Sequence, residues 1–462
     1  MLECFMASFR AIDRDTDFLL PPSVQEWLPE AHLARYVAAV VEGLDLSEIV
    51  RAYAGRGSDA YHPATLLGLL IYGYATGTFS SRKIERATYD SLAFRYIACN
   101  RHPDHDTLAN FRRRFGKQFE SSFVQVLQIA HDNQLSSFGT VSFDGTKIHA
   151  NASRHSALSY EHAVKLEAQL KAEVQELFVL AEAADQADVP DGMSVPAEIA
   201  RREDQIKAIT QARAKIEARA KERYAREKAE FDAKMATREA KETQTGKKMG
   251  GKKPTPPTDT PRAEDQVNLT DDESRIMKVA SGGFEQCYNA QAVVDTESML
   301  VVVPYITQAS NDKQQIEPAL TMIAALPEGM NAPKNLLADT GYFSEKNVDL
   351  CIDANVEPFI SIGRDAHHPH WKERYTEPAP LSANATPVEK MKHTLKTKAG
   401  RAIYALRKQT VEPVFGIIKS VMGFRQFMLR GLENVGHEWT LVCLAWNLKR
   451  MAVLRPNSVP SW

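Results

Sequence analysis

Three carboxylates stand in surroundings that suit metal-assisted chemistry. Asp144 follows the apolar run VSF and precedes Gly-Thr-Lys, and Asp339 follows NLLA and precedes Thr-Gly-Tyr-Phe. Ligand-binding groups in open α/β sheets gather at strand ends, so two such aspartates can share a divalent cation. Magnesium suits them, because it takes hard oxygen ligands and keeps several of its waters. Each aspartate taken alone also reads as an ordinary turn or helix cap. Glu412 lies in RAIYALRKQTVEPVFGIIKSVMGFRQF, where Tyr404, Lys408 and Glu412 recur every four residues and Lys419 lies seven beyond. Those steps keep all four near one helix face, with Arg407 close by. Pro413 disfavours helical backbone at Glu412, which predicts a kink or a fresh helix start there, and Gly423 marks the helix end. Without any chemistry, the same stripe is a solvated charged face.

The elements that must carry these residues are legible in the apolar pattern. Residues up to about 135 read as helices: Pro63 suits a first turn, and ATLLGLLIYGYA is apolar nearly all round, as a central helix would be. PDHDTLANFRRRF offers Asp106 or Thr107 as a helix cap before three consecutive arginines. At TVSFDGTKIHA the period changes to that of a strand, with Asp144 and Gly145 placed at a strand end or bulge. Helical sequence then runs from Tyr160 to Ala184 and from about Pro196 to Lys241. The second stretch carries a sparse stripe of Ile199, Ile206, Ile209, Ile216, Tyr224 and Phe231. This predicts an antiparallel helical hairpin or coiled coil. GKKMGGKKPTPPTDTPR at 246–262 reads as a basic, flexible linker. Strand-like sequence resumes at about Arg275: CYNAQAVVD and MLVVVPYI form a hairpin, Asn311–Ala325 a helix, KNLLADTGYF a strand, Ser344–Ala354 a helix and EPFISIG a strand. The order implies an α/β domain with a mixed sheet, interrupted by the helical block. The expected organisation is a helical module at 1–135, an α/β domain at 136–155 and 266–462, and an inserted hairpin with its linker at 156–265.

Composition narrows the function classes. A chain of 462 residues with 44% hydrophobic and 25% charged residues has the content for several folded domains. No apolar run reaches the length of a membrane span, and MLECFMASFR is not a secretory leader, so a cytosolic protein is expected. The five cysteines lie far apart, without the spacing of a zinc site or a disulfide framework. His367, His368 and His370 are close in sequence but lack cysteine partners, and a zinc site there is not expected. Net charge is −2, so DNA binding would rest on where the cations cluster. Candidates are Arg82, Lys83 and Arg86, and Arg112, Arg113 and Arg114, placed for phosphates or guanines; an ordinary helical-bundle surface is the competing reading.

The order strand–Asp, strand–Asp, helix–Glu resembles the DDE transposases of bacterial insertion sequences. VSFDGTKIHANAS, LLADTGYFS and Y-x-x-R-x-x-x-x-E-x-x-x-x-x-x-K are similar to segments of the group with an InsH-type N-terminal module. HPATLLGLLIYGY, PDHDTLANFRRRF and GFRQFMLRG extend the resemblance over nearly the whole chain. One spacing departs from a commoner pattern: four residues separate Arg407 from Glu412, where three is usual, and Lys408 occupies the three-residue position.

The resemblance implies an RNase H-like core in which Asp144, Asp339 and Glu412 hold two magnesium or manganese ions. It implies phosphoryl transfer that cuts element ends and joins them to target DNA. Lys419, and Arg407 or Lys408, would neutralise phosphate, and Tyr404 would position it. The implied partners are double-stranded DNA, both terminal inverted repeats and target, and a second copy of the chain, in a bacterial cytoplasm at the nucleoid. Two other functions fit the same residues: a nuclease of this fold that only hydrolyses DNA, and a DNA-binding scaffold with an inactive catalytic domain.

Overall fold

The computed structural model describes residues 24–53, 60–182, 194–246, 250–251, 253–280, 282–363, 376–382 and 384–454. His367, His368 and His370 lie outside them. The chain divides into two compact units, one holding the sequence up to Leu135 together with that from Leu444, the other Ser136–Cys443. The division falls within the last helix, between Cys443 and Leu444.

In the first unit, the helices are α1 (Val24–Trp27), α2 (Leu33–Glu42), α3 (Ser47–Arg51) and α4 (Pro63–Ala75). They are followed by α5 (Ser81–Asp90), α6 (Leu92–Ile97), α7 (His105–Arg114) and α8 (Gln118–Asp132). Helix α4 is central for the reason its composition gives. It has no polar face, nearly all of it is buried, and Pro63 opens it behind a His62 cap whose Nδ1 accepts from Ala64 N at 3.2 Å. Helix α7 is capped by Asp104, which accepts from Thr107 N at 2.8 Å, and not by Asp106 or Thr107.

The second unit opens with β1 (Thr140–His149), followed by β2 (Ala157–Ser159), α9 (Tyr160–Glu182), α10 (Val195–Thr245), β3 (Gln266–Asn268) and β4 (Arg275–Lys278). Then come β5 (Phe284–Asp295), β6 (Val301–Thr307), α11 (Ile316–Ala324), β7 (Asn335–Ala338), α12 (Glu345–Asp353) and β8 (Glu357–Ile360). Helices α13 (Pro387–Lys396), α14 (Lys398–Gly416) and α15 (Leu432–Leu454) complete the chain. The main sheet runs β5-β1-β7-β8, with β4 and β6 both pairing β5. Strands β1, β7 and β8 are parallel and β5 is antiparallel to β1. The path β6-β5-β1-β7-β8, with a hairpin followed by parallel strands, is an RNase H-like mixed sheet. Short β4 was not separable in the sequence, because RIMK is too brief for a period to show.

The helical hairpin leaves the sheet between β1 and β5. Leu158, Ala163, Leu170, Ile209, Ala212, Ile216 and Val267 bury one seam, with Ile206 against it, while Val164 is exposed. Helix α10, at 51 residues, is about 76 Å long. Beyond the basic segment the returning chain is tied to α10. Arg262 bonds Glu227 at 3.2 Å, Arg223 bonds Asp265 at 2.7 Å and Lys215 bonds Asp272 at 2.8 Å, so 262–272 run back antiparallel along α10.

Candidate active site

Asp144 is neither at a strand end nor on a bulge, as the Asp-Gly pair suggested; it sits in mid-β1, opposite Ala292 of β5. On the other edge of β1 the parallel ladder with β7 stops one residue earlier, at Phe143 and Ala338. Asp144 and Asp339 therefore leave neighbouring parallel strands at the same level, one strand spacing apart, about 4.8 Å in backbone terms. Asp339 caps the turn that follows, accepting from Gly341 N at 2.7 Å. Asp144 accepts from the N–H of Gly145 at 2.8 Å.

Burial raises the Asp144 carboxyl to about 7, the Asp339 charge adds to the rise, and the Gly145 N–H and Arg407 oppose it. A buried acid whose charged form is disfavoured, beside a second carboxylate, is an arrangement that a cation would relieve.

Helix α14 lies across these strands and sends two side chains to them. Tyr404 donates to the Ala338 carbonyl at 3.3 Å, directly before Asp339. Arg407 is buried, with Nη1 3.8 Å from Asp144 Oδ2 and Nη2 3.0 Å from Glu412 Oε1. Lys408, the alternative to Arg407, is exposed. The helix runs through Pro413 to Gly416 without a fresh start at Glu412 and passes into a π-helical turn, Ile417–Val421. That wider turn carries Lys419 onto β1, where Nζ donates to Thr146 Oγ1 and, at 2.9 Å, to the Lys147 carbonyl. Glu412 is half exposed, and its Oε1 is held by Arg407. Among the described residues, no three acidic, histidine or cysteine side chains are already drawn into a metal cage.

The remaining candidates fall in the first unit. Arg82, Lys83 and Arg86 are exposed on α5. Arg112 does not face outward as a DNA contact would: it is buried, donating from Nη1 to Tyr74 Oη at 2.7 Å and to the Phe79 carbonyl at 3.3 Å. Arg113 bonds Asn110 at 2.7 Å. Arg114 bonds the Ala52 carbonyl at 2.6 Å and lies over the Tyr53 and Phe115 rings. Sequence spacing could not separate these arginines, since three in a row point in three directions on a helix.

Residues 22–114 match the model of a transposase domain (DUF772), and residues 252–448 match that of the transposase DDE domain. The chain belongs to the insertion-sequence DDE transposases. No curated protein and no solved structure matches it. Asp339 and Glu412 of the transposase fall inside the matched DDE segment, whereas Asp144 precedes it and is joined to it through the ladders of β1 with β5 and β7 and through Arg407. Transposase DDE domains generally use divalent metals. The donor set here suits one: hard carboxylate oxygens, two of them adjacent and mutually repulsive, with a third acid on the helix above. Among the described residues, no helix is long and apolar enough to cross a membrane.

Behind the site lies a network that the sequence did not announce. On the opposite face of β1 and β5, Asp312 Oδ1 accepts from Asn289 Nδ2 at 2.6 Å and Gln291 Nε2 at 2.7 Å, with Lys147 Nζ at 3.7 Å. Tyr342 donates to Gln291 Oε1 at 2.6 Å. Gly145 makes room for it, because a Cβ there would lie 2.2 Å from Gln291 Nε2 and 2.9 Å from Asp312 Oδ1. Asp312 precedes its helix in an unpatterned polar stretch, so only the Asp-Gly pair hinted at this site.

Proposed function

We propose that this transposase cuts the ends of its element and joins them to target DNA, with Asp144, Asp339 and Glu412 holding the divalent ions. The observation that carries the reading is the pairing of Asp144 and Asp339 on adjacent parallel strands, with Arg407 spanning from Asp144 to Glu412. Magnesium or manganese, held by Asp144, Asp339 and Glu412, would supply the chemistry that activates water or a 3′-hydroxyl and offsets charge on the departing oxygen. The chain's own residues do the rest. Asp144 and Asp339 fix their oxygens from a rigid sheet, and Glu412 reaches from a helix that can release it from Arg407. Arg407, freed of Glu412, and Lys419 supply positive charge for the scissile phosphate, and Tyr404 sets the spacing between α14 and the end of β7. No side-chain nucleophile is needed. The partners are duplex element ends and target DNA, with the chain working as a dimer on DNA at the bacterial nucleoid.

The test uses labelled element ends, target duplex and magnesium or manganese with the full chain. Joined product, absent in Asp339→Ala, is the expected result. Cut ends without joined product would assign a nuclease, and activity surviving in Asp339→Ala would overturn the site.

A further inference from the structure

The outward face of α5 carries cations that no described residue of its own unit pairs with. Arg82, Lys83 and Arg86 are exposed, and among the described residues none of the three has a hydrogen-bonding or ionic side-chain partner. The glutamate of the helix is turned away: Glu85 Oε2 accepts from His105 N at 3.2 Å and lies 2.8 Å from His105 Nδ1. Asp90 is the single exposed acid, at the last position. Ser81, Ile84 and Thr88 bury the opposite face.

Tyr89 continues the cationic stripe, since Arg82, Arg86 and Tyr89 are spaced i, i+4 and i+7. Its ring is 56% exposed and stacks on the His102 imidazole, with centroids 3.8 Å apart and planes 11° from parallel. His102 is fixed from behind, with Nδ1 3.0 Å from Thr88 Oγ1 and its carbonyl accepting from Tyr61 Oη at 3.3 Å. One face of the Tyr89 ring is thus covered and the other is open. A ring held in this way loses little rotamer freedom when it meets a ligand. The arginines of α7 offer no such face, because Arg112, Arg113 and Arg114 are all committed to partners in their own unit.

We propose that α5, and not α7, is the helix that docks double-stranded element-end DNA, with Arg82, Lys83 and Arg86 on phosphates and Tyr89, backed by His102, against a base edge. The major groove admits a single α-helix, whose cations can reach the flanking phosphates while an aromatic ring on the same face offers apolar contact to a base edge such as the thymine methyl. The assignment rests on the reading of the chain as a DNA-acting transposase.

The experiment is fluorescence anisotropy of the full chain without divalent ions. The probes are a labelled duplex of the repeat bordering the coding sequence and a scrambled duplex of equal length. Arg82→Ala/Lys83→Ala/Arg86→Ala weakens both and lowers the salt slope by roughly 2 to 3, as the loss of three phosphate contacts requires. Tyr89→Ala weakens the repeat duplex by about 5- to 100-fold, the range of a base contact, and leaves the scrambled duplex nearly unchanged. Tyr89→Phe, which keeps the ring, keeps the preference. All these side chains are exposed, so thermal midpoints stay near that of the parent chain. Unchanged binding in both alanine variants, or loss of repeat binding in Arg113→Ala alone, would overturn the assignment. No strand is cut in this assay, so its outcome is separate from that of the catalytic reading.

Discussion

Arg407 donates from Nη2 to Glu412 Oε1 at 3.0 Å, while its Nη1 lies 3.8 Å from Asp144 Oδ2. One guanidinium therefore ties a carboxylate of the sheet to one of the helix.

Arg407 and Lys408 should accordingly separate cleanly. Arg407→Ala is expected to lower end cleavage by about 10²–10³-fold, the cost of losing a preorganised charge at a reacting phosphate. Lys408→Ala, an exposed position, should stay within about twofold of the parent, since surface substitutions away from special contacts change little. Single-turnover cleavage of labelled ends reads both.

The Asp144 carboxyl gives the metal-free chain a defined pH response. Its folded value of about 7 stands above the ordinary 3.8, so the folded state holds this proton more tightly than the unfolded one. Deprotonation then costs stability progressively as pH rises from about 4 to about 7, and the cost is constant above that, of the order of 4 kcal/mol. Asp144→Asn removes the cost. Urea unfolding should find it more stable than the parent at pH 8, with the gap closing by pH 4; a gap independent of pH would contradict the burial argument.

The network behind the sheet makes Gly145 and Asp312 testable. Gly145→Ala forces Gln291 and Asp312 apart and should cost about 1–3 kcal/mol in urea unfolding, the range of overpacked cores. Asp312→Ala removes an acceptor shared by two buried amides and the partner of Lys147, and should destabilise more than Asp312→Asn, which keeps an acceptor for both amides.

Much of this was legible beforehand, for physical reasons. The helical hairpin showed because α9 and α10 are long enough for their period to emerge, and α4 showed because it has no polar face. The strands carrying Asp144 and Asp339 showed as VSF and NLLA. What stayed hidden depends on contacts between segments distant in sequence. Asp144 looked like a strand end because Gly145 reads as a break. Its real cause is the close approach of Gln291, which lies 146 residues on. Pro413 looked like a helix start, yet packing of Val411, Val414 and Phe415 carries α14 through it. Arg112 looked like a DNA contact because the buried hydroxyl of Tyr74 that takes it lies 38 residues earlier.

The most direct test is manganese binding to the full chain, followed by the loss of the free-ion electron paramagnetic resonance signal at mildly alkaline pH. The parent chain should take up the ion. Asp144→Asn and Asp339→Asn should each weaken uptake by tenfold or more (about 1.4 kcal/mol) while remaining folded. Glu412→Gln should weaken it less, because that side chain starts on Arg407 and half in solvent. Manganese affinity unchanged in both aspartate variants would contradict the assignment of this site.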